Sequence, residues 1–367
     1  MYMENGVIIQ YFQHNLSKEF NIWKCIYKEA ANLAELGITA MWVPMKTIEE
    51  LGILDEGNYD KNYKISREFI EAFSELKANM IQVYGDIQFD SNSSESDEVS
   101  DLKRAYYIYS EIDGFKIEDI DSIEKKVLIK GLLELRNESK KELFLVGEYW
   151  CKNINKILQF LKDINEDVYL FDVPLHYNLY KASKEGGLYD LQDILKGTLL
   201  EKNPMKSVTF VDNHKTQKGQ IEESYIEEWF KPIAYSLILL REEGYPCIFF
   251  GDYYGNISDN IKSMKEVLDT LLYVRMNYAY GIQHSYFDNP NIVGWTREGE
   301  ERKERSGIAV IISNMYSGKK KMYIGNQFSG KVMYDCTSNR KEEIIIDNFG
   351  NGDFLVNEKS VSVWVFK

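Results

Sequence analysis

Eight short apolar runs, separated by stretches long enough for a helix, occupy the chain between Gly6 and Gly251. The first is Gly6-Val7-Ile8-Ile9-Gln10-Tyr11, and it gives way to Asn21 to Leu36, where apolar residues recur at helical spacing. The others are Ile38 to Val43, Met80 to Ile87, Gly114 to Ile117, Phe144 to Glu148, Val168 to Val173, Val208 to Asp212 and Cys247 to Gly251. Helical patterning is expected at Ile65 to Leu76, Ile123 to Arg136, Ile154 to Leu161, Ser224 to Arg241 and Ile261 to Arg275. Neighbouring parallel strands need a crossover, which a helix supplies. Eight such units fit a closed (β/α)8 TIM barrel better than an open doubly wound sheet.

After about Tyr280 the rhythm changes to strands alone: Ile292 to Thr296, Gly307 to Ser313, Lys320 to Ile324, Glu343 to Ile346 and Ser360 to Phe366. Turn residues such as Asn348-Phe349-Gly350-Asn351-Gly352 separate them, as an antiparallel β-sandwich requires. The reading is a barrel over 1–280 and a C-terminal all-β domain over 281–367. Ser91-Asn92-Ser93-Ser94-Glu95-Ser96-Asp97-Glu98 is polar and acidic, and is expected to be a solvated loop.

Composition narrows the partners. Acidic residues outnumber basic ones 58 to 44, for a formal charge of -14, so the overall field disfavours nucleic acid and anionic lipid. A neutral or cationic ligand is expected. No apolar stretch approaches the roughly 18 residues of a membrane span. The start of the chain shows no secretory signal pattern, so a cytoplasmic location is expected. Cys25, Cys151, Cys247 and Cys336 are far apart and indicate neither a zinc site nor a disulfide framework. Tyr, Phe and Trp number 26, 18 and 6, a supply that serves core packing and would equally serve stacking on sugar faces.

Barrel chemistry collects at the C-terminal ends of the strands. The polar residues closing the expected strands are Asp86, Glu118, Glu148 and the pair His214-Lys215. Two glutamates on adjacent strand ends suit a retaining glycosidase, whose nucleophile and general acid stand about 5 to 5.5 Å apart. Tyr11 and Trp42 are expected either as core or rim aromatics or as sugar platforms. His14, His176 and His284 are isolated in sequence and are assigned no ligand role.

At these positions the chain resembles the α-amylase family of glycoside hydrolases, particularly its bacterial liquefying type. The resemblance is carried by Phe171-Asp172-Val173-Pro174-Leu175-His176-Tyr177, Ser207-Val208-Thr209-Phe210-Val211-Asp212-Asn213-His214, Trp229-Phe230-Lys231-Pro232 and Gly294-Trp295-Thr296-Arg297-Glu298-Gly299. It implies a barrel with a C-terminal sandwich acting on α-1,4-glucans, with an α-glucan or maltooligosaccharide as ligand. Glu148 occupies the family's general-acid position and Glu118 that of its aspartate nucleophile. Lys116 stands where the family has arginine. His214 is kept, and Asp86 is kept. Lys215 stands where the family places the aspartate that orients the distorted sugar. Asp90 and Ser91 replace an asparagine and a histidine, and Asp55-Glu56-Gly57 replaces a stacking glycine-tyrosine-glycine, with Tyr59-Asp60 following. The polar loop near 88–101 replaces the family's inserted calcium-binding domain, so no family-type calcium, and no other metal or cofactor, is expected.

Each substitution opposes hydrolysis. A glutamate at 118 shifts its carboxylate by roughly 1 Å, a misplacement that can cost on the order of 10²-fold in rate. Lysine at 116 loses the planar two-bond grip of arginine. A cation at 215 repels the positive character of an oxocarbenium-like transition state and favours ionised glutamates where a general acid must hold its proton. The same lysines would neutralise Glu118, Glu148 and Asp212 in a crowded rim. The leading expectation is an α-amylase-like protein of carbohydrate metabolism with little or no hydrolytic activity. The alternatives are a retaining hydrolase of altered specificity, with Glu118 as nucleophile and Glu148 as acid/base, and a non-catalytic carbohydrate-binding or regulatory protein. A protein-binding scaffold is a further reading. The sequence leaves the oligomeric state open.

Overall fold

The computed structural model describes residues 5–13, 21–43, 67–87, 112–139, 142–165, 168–256 and 261–367. His14, Asp55, Glu56, Gly57, Tyr59, Asp60, Asp90, Ser91 and the expected loop near 88–101 lie outside the described residues, as does the side chain of Asp86.

Eight strands form a closed barrel: β1 (Ile8–Gln10), β2 (Ala40–Val43), β3 (Gln82–Ile87), β4 (Gly114–Ile117), β5 (Phe144–Gly147), β6 (Tyr169–Phe171), β7 (Ser207–Phe210) and β8 (Tyr245–Phe249). Each pairs in parallel with the next, and β1 closes the ring on β8 through Ile8↔Cys247. Every strand falls on an expected apolar run: β4 coincides with it, and the others are trimmed by one to three residues or shifted slightly.

The helices follow the sequence less evenly. Ile22–Glu35 begins where the Asn21 side chain accepts the Lys24 amide at 3.0 Å, a side-chain N-cap. The expected helix from Ser224 starts instead at Lys231. Residues before it are committed elsewhere: the Ser224 hydroxyl bonds His176, and the Ile226 amide reaches the Asp212 carboxylate. Three described helices were not expected: the short Leu199–Lys202 and Phe250–Tyr254, and the longer Val173–Glu185, although Asp172 caps the last through the Leu175 amide and Pro174 sits in its first turn.

Eight further strands follow the barrel. A six-stranded antiparallel sheet runs in the order β14 (Glu343–Ile345), β13 (Val332–Asp335), β16 (Ser360–Phe366), β11 (Ile308–Ser313), β10 (Ile292–Arg297), β9 (Gln283–Tyr286), and β12 (Gly318–Tyr323) pairs with β15 (Asn351–Val356). Successive side chains of a strand face opposite sides. In β11, Ile308, Val310 and Ile312 accordingly join the barrel's core, while Ala309 and Ile311 join a second core with Met322, Phe354 and Trp364. Both faces are buried, which is why β11 reads as an apolar run from Ile308 to Ile312. The Trp295 indole donates to the Leu240 carbonyl at 3.2 Å, and Asn314 donates to the Gly186 and Tyr189 carbonyls at 2.8 Å, tying sheet to barrel. Among the described residues no helix is long and apolar enough to cross a membrane.

Candidate active site

Three strand ends build the site. Lys116 is the third residue of β4, so its side chain points into the barrel and is 1% exposed. Its ammonium lies 4.9 Å from the centre of the Trp42 ring, bonds Glu148 Oε2 at 2.6 Å and also pairs with Glu118. Glu118 and Glu148 leave the ends of β4 and β5, two adjacent strands, which puts both carboxylates over the same mouth.

Lys215 comes across the mouth from the turn after β7. Its ammonium sits 2.7 Å from Glu118 Oε2, 2.9 Å from Glu148 Oε2 and 3.3 Å from Asp119 Oδ1. The turn is held by local bonds: Asn213 Oδ1 accepts the Lys215 amide at 2.9 Å and the Thr216 amide at 3.1 Å, and the Thr216 hydroxyl donates to Asp212 at 2.9 Å. Asp119 reaches the ammonium from a left-handed backbone, φ 42°, a conformation that aspartate tolerates better than most residues.

The electrostatics follow. Burial would raise the Glu118 carboxyl, but the charges of Lys116 and Lys215 and their hydrogen bonds outweigh it and hold it down at about 2. Burial would lower the Lys215 ammonium, yet Glu148 and Glu118 keep it above its ordinary range. Asp121, nearby, is raised by burial, with the charges of Asp119 and Glu148 adding to it. Glu148 is 1% exposed; its Oε2 receives two ammonium groups, and its Oε1 has no hydrogen-bond partner.

Asp212 was expected to share these lysines and does not. Its carboxylate takes Lys231 at 3.0 Å, and Lys231 also pairs with Asp252, which accepts the Tyr235 hydroxyl at 2.7 Å. Burial raises both aspartates despite the Lys231 charge. The nearer cation wins, because Lys231 stands at the start of the helix beside β7.

Of the three residues expected to bind sugar, two border the site. His214 is nearly buried, with Nδ1 3.0 Å from Gln10 Nε2 and its ring against Phe12 and Trp42. Trp42 is 2% exposed and serves as the wall against which Lys116 rests. Tyr11 is turned away. The residue before it, Gln10, faces His214, so strand alternation sends Tyr11 outward, where its ring packs on Phe250 and Tyr254 and its hydroxyl meets that of Tyr254 at 3.3 Å. Gln10 and Asp119 are the site residues that sequence reasoning missed; an aspartate directly after the strand-end glutamate was the available signal for the second. His176 is buried between the Val211 carbonyl and Ser224, and burial pulls its pKa down to about 4. His284 pairs with Glu298 on the C-terminal sheet. The four cysteines are unbonded.

Glu118, Asp119 and Glu148 each bring one oxygen within 4.8 Å of the others, and an ammonium stands among those oxygens. An α-amylase of Geobacillus stearothermophilus is 33% identical to the chain over 477 aligned positions, covering 98% of this chain and 87% of that protein. The chain belongs to the α-amylase family of glycoside hydrolases. That alignment is longer than the 367 residues of the chain, so the relative carries segments absent from this member of the family. The cytoplasmic α-amylase of Escherichia coli strain K12 is 34% identical over 75% of this chain and 57% of its own length. The family model described as alpha-amylase C-terminal matches residues 308–365, which span β11 to β16. A maltogenic α-amylase from Thermotoga neapolitana has the same fold, with a TM-score of 0.68 over 100% of this chain and 99% of that one at 11% identity.

Proposed function

We propose that this α-amylase-family protein does not hydrolyse glycosidic bonds at its barrel mouth. The observation that carries the reading is the Lys215 ammonium, 2.7 Å from Glu118 and 2.9 Å from Glu148. Retaining hydrolysis needs an anomeric carbon between a nucleophile and a protonated acid. Here a cation holds that space, repels a developing oxocarbenium charge, and competes for the carboxylate that would attack. Lys116 adds a second cation below the same two glutamates, so the Glu148 carboxylate meets two ammonium groups at one oxygen. In this reading Glu118 and Glu148 are remnants of a catalytic pair, and His214 and Trp42 are packing residues of the rim.

Hydrolysis of a chromogenic maltooligosaccharide tests the proposal. No turnover above the level of Glu148→Gln is expected. Clear turnover that vanishes in that variant, with a mechanism-based sugar label on Glu118, would instead establish the hydrolase of altered specificity. α-Glucans are the substrate class suggested by the relatives' names, and titration calorimetry with maltooligosaccharides is expected to show no heat at this mouth. A cytoplasmic location is supported by the likeness to the cytoplasmic E. coli enzyme. We also assign 1–280 to the barrel unit and 281–367 to the C-terminal unit, on the helix ending at Asn277 and β9 starting at Gln283.

A further inference from the structure

We propose that Arg241 and Arg297 form a buried site for one halide-sized monovalent anion, where the barrel meets the C-terminal sheet. Arg241 follows the helix Lys231–Leu240 and Arg297 ends β10, and the two are 5% and 6% exposed. In the β9–β10 ladder Gln283 stands opposite Arg297 and Ser285 opposite Trp295, so strand alternation sets these four residues on one face of the sheet. Arg241 lies against that face. Its Nη1 donates to the Ser285 hydroxyl at 3.2 Å, and its guanidinium carbon is 5.8 Å from the centre of the Trp295 ring and 5.5 Å from that of Phe287.

Each guanidinium keeps a donor in hand. Arg297 Nε donates to the Gly281 carbonyl at 2.8 Å, and Arg241 Nη2 to Glu243 Oε1 at 3.1 Å. Arg241 Nε and Arg297 Nη1 are buried and have no hydrogen-bond partner among the described residues. Buried donors are nearly always matched, and a charged one left unmatched is the costliest kind. One acceptor shared by the two would answer both. Burial pulls each guanidinium below its ordinary range, and at Arg297 the charge of Arg241 adds to that pull.

Charge selects the ligand. Burial would raise the Glu243 carboxyl, but the charge of Arg241 and the Gln283 amide hold it below the ordinary carboxylate range, so it stands ionised. Glu300 pairs with Arg302, and Glu242 points to solvent. Two guanidinium charges against the Glu243 carboxylate leave one positive charge, which a monovalent anion neutralises and a dianion would overshoot. One free donor on each arginine suits a single-atom acceptor. The formal charge of -14 does not forbid this, because solvent screens distant surface charges while buried neighbours act almost unscreened.

Halide dependence is the test. Native protein is melted in sodium chloride, sodium bromide and sodium gluconate at matched ionic strength, and crystals grown in sodium bromide are measured at the bromine absorption edge. The midpoint is expected to rise and saturate over the millimolar halide range and to stay put in gluconate, with an anomalous peak within hydrogen-bond distance of Arg241 Nε and Arg297 Nη1. Glu243→Gln, which removes the competing carboxylate, is expected to tighten halide binding by about tenfold. Arg297→Met is expected to abolish the halide-dependent rise, and Arg297→Lys, which keeps the charge without the fork, to weaken it. Equal native midpoints in all three salts overturn the proposal, as does a peak-free site holding water alone. A rise that persists unchanged in Arg297→Met overturns it too, since the halide then binds elsewhere. Where neither Arg297 variant folds, the bromide peak in the native crystal decides. None of these readings measures hydrolysis, so this site and the reading of the barrel mouth stand or fall separately.

Discussion

Lysine at position 116 carries more of the site's stability than its single methylene-chain reach suggests. It is buried with two glutamates, and breaking a buried pair from one side leaves uncompensated charge. Lys116→Met is expected to cost about 3–5 kcal/mol in urea unfolding. Lys116→Met combined with Glu118→Gln and Glu148→Gln is expected to recover much of that loss, because hydrogen-bonding amides replace the stranded charges. Equal losses in the single and triple variants would show that packing against Trp42, and not charge, is what Lys116 provides.

Acid acts in two steps, at His176 and at Glu118. His176 in the fold has its pKa at about 4, below the roughly 6.5 of a free imidazole, so the unfolded chain takes up its proton first and stability falls as pH drops between those values. Glu118 is held at about 2, below the ordinary carboxylate range near 4.3, so its contribution is complete above that range and lost as pH falls towards 2. Unfolding free energy measured from pH 7 to pH 2 is expected to decline in both windows. Glu118→Gln should flatten only the lower window; an unchanged slope there would show that the lysines do not hold this carboxylate down.

Among the elements, the turn 213–216 decides where Lys215 goes. It is anchored from behind by Asp212, which holds Thr216, the Ile226 amide and Lys231 together, and Lys231 in turn ties in Asp252 after β8. Lys231→Met would strand two buried carboxylates and is expected to destabilise by about 3–5 kcal/mol, read by chemical denaturation. It should also raise proteolytic nicking between Asn213 and Ser224, since the anchor of that segment is lost; nicking at native levels would show the turn to be held locally by Asn213 alone. The apolar helices and barrel strands were legible because their patterns repeat with a fixed period. β9, β13 and β15 were not: Gln-His-Ser-Tyr has no apolar stripe, and β15 opens on Asn351-Gly352, a pair that reads as a turn. Their place is set by pairing with β10, β16 and β12 and not by their own composition.

For the whole molecule, the barrel and the C-terminal sheet share a core. Val293, Trp295, Val310, Val363 and Val365 cluster with the barrel's helices, and Trp295 is fully buried against Leu240. Calorimetry is therefore expected to show one cooperative transition, with Trp295→Ala lowering it as a unit at a cost of about 3–5 kcal/mol. Two separated transitions in the native protein would show the shared core to be weaker than its burial implies. The candidate site depends on this scale too, because its residues come from positions 10, 42, 116–119, 148 and 214–215, which only barrel closure brings to one mouth.

The sequence by itself determined the barrel, the change to strands after it, the family, and the fact that Lys116, Glu118 and Lys215 replace usual site residues beside a retained Glu148, since periodicity and ordered motifs are local and additive. Tertiary structure alone decided which cation meets which carboxylate. Asp212 took Lys231, while Lys215 crossed the mouth to Glu118, Asp119 and Glu148, because charge pairing at a barrel rim follows distance through space and burial, and neither is written in the spacing of residues along the chain.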